Sequence, residues 1–176
     1  DTGTLESAII EFEAALGLDR GMTEGLRNLG NCYDEMGDYA KSAECIEKAL
    51  EINRQNPEIF ITYGDALFKM KRWEEAEKQY RTALFMRPNF AEAWNNLGLL
   101  MFETGRKKEA RDYLERALKI IPPYPDALCN LGTVLADGGD LPAAVALWKK
   151  ALKIKPYHRG AQTNLRRAAS LNAASK

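Results

Sequence analysis

Glycine recurs at a fixed interval in this chain: Gly30, Gly64, Gly98 and Gly132 stand 34 residues apart. The same step carries Ala15, Ala49, Ala83, Ala117 and Ala151. A period of that length means one supersecondary unit stacked on copies of itself, which constrains the fold more than any other feature of the sequence. With Thr23, Pro57, Ala91 and Pro125 as first positions, position four reads Leu26, Phe60, Trp94 and Leu128, and position seven reads Leu29, Tyr63, Leu97 and Leu131. Position twenty is Ala8, Ser42, Ala76, Ala110 and Ala144; position twenty-four is Phe12, Ile46, Tyr80, Leu114 and Trp148.

Each unit holds two amphipathic stripes. Positions four, seven, eight and eleven, as in Trp94, Leu97, Gly98 and Met101, follow the i, i+3, i+4, i+7 spacing of a helix with one apolar face. Positions twenty, twenty-four, twenty-seven and twenty-eight, as in Ala110, Leu114, Ala117 and Leu118, repeat that spacing in a second helix. Breakers at Gly37, Gly105 and Gly138–Gly139 separate the two, and Pro88, Pro122 and Pro156 end the second. We call these helices A and B. Glycine inside a helix costs about 0.5–1 kcal/mol relative to alanine, so a glycine column at position eight needs a compensating gain. Close approach of A and B, with position twenty small as well, supplies it.

Composition narrows the function classes. The 176 residues carry 25 Lys and Arg against 25 Asp and Glu, with pI near 6.8, which lacks the basic footprint of a nucleic-acid or anionic-membrane binder. No apolar run reaches the ~20 residues of a membrane span. Cys32, Cys45 and Cys129 are odd in number and lack paired spacing, and His158 is the lone histidine, so reduced, buried thiols are expected and neither a metal nor a cofactor is. No nucleophile with a base and no phosphate-binding glycine loop is visible, so the chain reads as non-catalytic. His158, beside Pro156 and Tyr157, is expected in a surface loop. A cytoplasmic location is expected, with the periplasm left open because the chain starts at Asp1.

The columns resemble the tetratricopeptide repeat, whose pattern is a bulky residue, then Leu-Gly, Tyr, Ala, an aromatic, Ala and Pro. The resemblance covers residues 1–176 as a single domain: a half repeat at 1–22, repeats at 23–56, 57–90, 91–124 and 125–158, and a capping helix at about 159–174. Arg54 in place of proline and Ser42 in place of alanine are the departures. The resemblance implies an all-α fold, a right-handed superhelical solenoid of antiparallel helix pairs whose A helices line the concave side. It also implies a protein-interaction scaffold or adaptor.

Opposite the packed stripe lie positions two, five, six, nine and thirteen of helix A. Across the four repeats these columns hold eight acids and two bases, net −6, against +6 for the remaining residues. Position six reads Asn28, Thr62, Asn96, Asn130 and Asn164, a row of amides able to bond the backbone of an extended peptide. That row is similar to the asparagine ladder of the O-linked N-acetylglucosamine transferase superhelix, interrupted at Thr62. Solubility alone also explains asparagine at exposed positions. Arg27, Asn31, Asp65, Asn95, Leu99 and Phe102 complete the expected peptide-binding set, and Ile61, Leu99 and Phe102 read either as apolar anchors or as ordinary surface residues. Arg27 and Asn31 match the first helix of the family's carboxylate clamp, but Thr62, Glu92 and Asn96 depart from its next two, so a neutral to basic peptide or partner helix is expected.

Charge also separates along the chain: residues 1–56 are net −7, 57–122 net +2 and 123–176 net +5. Ala8, Phe12 and Ala15 belong to a helix B without its helix A, and Arg166 occupies position eight of the last helix, where close packing needs glycine. The chain therefore reads as a piece of a longer protein, with self-association through its ends as a further expectation. The alternatives to a free-standing adaptor are the substrate-selecting arm of a larger enzyme, such as a glycosyltransferase, and a homo-oligomeric scaffold.

Overall fold

The computed structural model describes residues 2–18 and 22–174, with side chains for 3–17 and 22–170. Among the described residues there are ten helices and no strand, and the fold is all-α. Contacts divide the chain into two compact units, Asp1–Pro88 and Asn89–Lys176. The first contains α1 (Thr2–Leu18), α2 (Thr23–Met36), α3 (Tyr39–Ile52), α4 (Pro57–Lys69) and α5 (Trp73–Met86). There α2 pairs with α3 and α4 with α5, while α1 packs on α2 and α3 on α4. The second contains α6 (Ala91–Glu103), α7 (Lys107–Ile120), α8 (Pro125–Asp137), α9 (Leu141–Ile154) and α10 (Arg159–Ala174). Here α6 pairs with α7 and α8 with α9, α7 also packs on α8, and α10 rests on α9 and α8. The A helices begin at the expected Thr23, Pro57, Ala91 and Pro125.

Local chemistry sets the helix ends. Pro57 and Pro125 open α4 and α8, where a missing N–H costs nothing. Carboxylate or amide side chains cap three starts: Asp38 accepts from the Lys41 N–H, Asn56 from Glu58 and Asp140 from Ala143. Between A and B, Gly37, Gly105 and Gly139 take left-handed φ of +84°, +80° and +90°. The same column holds Lys71 at φ +60°. Pro88, Pro122 and Pro156 each lie two residues beyond the end of a B helix.

The glycine column sits at the tightest A–B contact. A Cβ on Gly98 would lie 2.6 Å from Leu114 Cγ and 3.2 Å from the Ala110 carbonyl oxygen. On Gly30 it would meet Ile46 Cδ1 at 2.7 Å, on Gly132 Trp148 Nε1 at 2.6 Å, and on Gly64 the ring of Tyr80. The space a side chain would need is thus filled from position twenty-four. Position twenty approaches with backbone as well, through the Ala110 carbonyl. Ile46, Tyr80, Leu114 and Trp148 are almost wholly buried, each contributing about 1.5–3 kcal/mol of apolar burial. Trp148 also donates its indole N–H to the Cys129 carbonyl at 3.1 Å. Trp73 and Trp94 are half-buried: Trp73 meets Phe68 edge-on at 5.1 Å, and Trp94 sits beside Tyr113 at 5.4 Å. Cys45 and Cys129 are buried and Cys32 is half-buried, all as free thiols.

Candidate functional site

The side chains expected to meet a ligand lie on A helices, and each unit presents its own set. In the first unit, Arg27, Asn28 and Asn31 are on α2 and Thr62 and Asp65 on α4. Asn31 is exposed and Asn28 half-buried. The Arg27 guanidinium is already engaged, donating to Glu24 at 2.6 and 3.1 Å. Thr62 donates its hydroxyl to the Glu58 carbonyl at 3.2 Å, as a helical threonine often does. Asp65 accepts from the Tyr80 hydroxyl at 2.7 Å, so this carboxylate turns toward α5.

In the second unit the amides form a directed chain. Asn95 was expected in the groove at position five, but it is only 6% exposed, and Ile61 and Cys129 at that column are buried too. The packed arc of helix A is wider than its apolar stripe, because A helices also pack on one another, as α6 does on α8 and α8 on α10. Asn95 is the hydrogen-bonded link in that seam. Its Nδ2 donates to Asn96 Oδ1 at 3.0 Å, and its Oδ1 accepts from Asn130 Nδ2 at 3.0 Å. One helix further on, Asn164 Nδ2 donates to Thr133 Oγ1 at 3.0 Å, while Thr133 donates to the Cys129 carbonyl at 3.1 Å. The threonine hydrogen is spent, so Thr133 can only accept, which fixes the orientation of the Asn164 amide. Asn96, Asn130 and Asn164 are all half-buried, and the donor side of the last two faces the protein.

Leu99 and Phe102 are half-buried on α6. Phe102 borders a pocket of about 550 Å³ completed by Thr133, Asp137, Leu141, Trp148, Asn164, Arg167 and Ala168. Of the expected residues, the pocket therefore gathers Phe102 and Asn164. Arg167 and Trp148 were not expected there. Position ten reads Cys32, Ala66, Leu100, Val134 and Ala168, so within the second unit the last helix brings the least volume at that column.

The acids at the groove columns are largely engaged. Glu24 holds Arg27, and Glu58 lies 3.5 Å from Arg87. Asp137 lies 2.5 Å from Lys107, and Asp126 accepts from His158 Nε2 at 3.0 Å. A column count of −6 misses cations that reach over from other elements. His158 is not a free loop residue: its side chain is 10% exposed, and Nδ1 accepts the Ala161 N–H at 3.1 Å, capping α10. Burial, reinforced by the charge of Asp126, pushes the Cys129 thiol up to about 11. No group of three or more metal-ligating side chains occurs among the described residues. None of their helices is long and apolar enough to cross a membrane.

Tetratricopeptide repeat patterns match residues 23–56, 62–125 and 126–155. The chain belongs to the tetratricopeptide repeat family. Among curated relatives, it is 32% identical over 98 residues to response regulator aspartate phosphatase A of Bacillus subtilis (strain 168), covering 49% of this chain and 26% of that protein. It is 30% identical over 80 residues to the human protein O-mannosyl-transferase TMTC1, covering 43% of this chain and 9% of the transferase. The chain thus matches about a quarter or less of the length of these relatives. Among solved structures, the thermophilic tetratricopeptide protein TTC0263 of Thermus thermophilus is similar with TM-score 0.85 at 20% identity, covering 95% of this chain and 91% of that one, which shows the fold. YrrB, described as a tetratricopeptide protein with an unusual peptide-binding site, is similar with TM-score 0.65 at 26% identity, covering 92% and 83%. A tetratricopeptide array of this kind is a protein-interaction scaffold.

Proposed function

We propose that the chain is a non-catalytic adaptor that holds an extended segment of another protein along its A helices. The observation that carries this reading is the row of position-six amides in the second unit, of which Asn130 and Asn164 share one orientation while Asn96 accepts from Asn95 through its oxygen. At Asn130 and Asn164 the amide nitrogen is turned inward, donating to Asn95 and Thr133, which leaves the carbonyl oxygen as the acceptor offered to a ligand. Those oxygens match backbone N–H groups, which every residue but proline supplies, so recognition at the row is of strand geometry rather than of one side chain. Leu99 beside the row gives apolar area. Similarity to a protein with a peptide-binding site supports the same reading.

The test uses peptides selected from a random display library on the whole chain. In the triple variant Asn96→Ala, Asn130→Ala, Asn164→Ala, affinity for the selected peptides should drop by about tenfold or more, as expected for several lost hydrogen bonds. A thermal melt establishes that the variant is folded. Unchanged affinity in a folded triple variant rejects the reading.

A second reading, that the chain is the substrate-selecting arm of a larger enzyme, is favoured by its similarity to a small part of an O-mannosyl-transferase. The mass of the endogenous product, read by immunoblot of the source cell, separates the two.

A further inference from the structure

The pocket beside α10 is built differently from the rest of the second unit, and its shape and charge specify an occupant. Leu100 and Val134, at position ten of α6 and α8, are buried. At the same column α10 has the smaller Ala168, which lines the pocket of about 550 Å³. Its floor is apolar, from Trp148, Leu141 and Ala168. Its rim is polar and asymmetric. Asp137 is neutralised by Lys107 at 2.5 Å, whereas Arg167 has no ion pair among the described residues. Asn164 on the same rim turns its amide nitrogen inward to Thr133 and so has its carbonyl oxygen to offer.

We propose that this pocket seats one large apolar side chain from an extended segment of another protein, with an Asp or Glu of that segment beside it on the Arg167 guanidinium. The inference rests on the peptide-binding reading above and adds its specificity. An apolar group in the pocket gains burial against Trp148 and Leu141, while a neighbouring carboxylate meets the cation that no other group on the rim neutralises. Recognition at this end thus runs opposite in sign to the acidic columns elsewhere on the A helices.

The same display experiment tests it. Selected peptides should share a Phe, Leu, Met or Trp within two residues of an Asp or Glu. A synthetic peptide of that consensus, measured by fluorescence polarisation, should lose about tenfold in affinity for Ala168→Leu, which fills the pocket with the residue α6 carries at that column. It should lose a similar amount for Arg167→Glu, which should in turn favour the peptide with its acid changed to lysine. If Ala168→Leu proves unfolded by circular dichroism, Arg167→Glu, on an exposed side chain, decides alone. Selected peptides without the acid, or equal binding to wild type and Arg167→Glu, overturn the proposal while leaving the general reading intact provided the asparagine triple variant still weakens them. No enriched peptide at all overturns both.

Discussion

A single methyl group at residue 98 tests the packing on which the repeats depend. Added there, it would lie 2.6 Å from Leu114 Cγ and 3.2 Å from a backbone oxygen of α7, so either the side chain or the helix must move. Overpacking of this kind costs about 1–3 kcal/mol, against which alanine recovers at most about 1 kcal/mol of helix propensity. We expect Gly98→Ala to be destabilised in urea melts, Gly98→Leu to lose the cooperative transition of the neighbouring helices, and Leu114→Ala to restore part of the loss in the double variant. A melt of Gly98→Leu matching the parent rejects this account. The glycine column was legible in the sequence because a helix-interior glycine needs a reason. The fate of Asn95 was not, since projecting residues at 100° gives the direction of the packed face but not its width. A polar residue on the boundary is assigned only when its partner, here Asn130 on the next A helix, is known.

Among the elements, the A–B turn is the most uniform, and Lys71 is its exception. Its column is glycine in the other three hairpins, and all four positions adopt positive φ. A side chain in that conformation costs roughly 1 kcal/mol, with the N–H groups of Lys71 and Arg72 closing the end of α4 on Phe68 and Leu67. Lys71→Gly should therefore raise stability by about 0.5–1 kcal/mol in a urea melt, and an unchanged or lower midpoint refutes the strain. These turns were legible from glycine and proline alone. The start of α10 was not: its cap is a histidine held by Asp126, 32 residues earlier in the chain. Local signals placed His158 in a loop, and only tertiary pairing makes it part of a helix terminus.

For the whole molecule, alkaline pH should be the sensitive side. Burial holds the Cys129 thiol at about 11 against an ordinary 9.0, and burial with the Glu47 contact holds Tyr63 at about 12 against 10.0. The hydrogen bond to Glu13 raises Tyr33 to about 12. Because the unfolded chain ionises first, the folded state keeps its full stability below pH 9 and loses it as pH rises through 9 to 11, then further from 10 to 12 as the tyrosines follow. Urea midpoints measured across that range should fall, and Cys129→Ala should flatten the first part of the decline. An identical slope in that variant excludes the thiol as its source. The helix order could be read from the period, whereas the division near Pro88 could not, since the 34-residue spacing runs through it without a break. One consequence lies in the fixed orientation of Asn130 and Asn164, whose amide nitrogens are turned to neighbouring helices and whose oxygens are not. A strand lying along these rungs as proposed is judged by the hydrogens it brings, so each proline in register forfeits a rung and the scaffold discriminates against polyproline segments before any side chain is read.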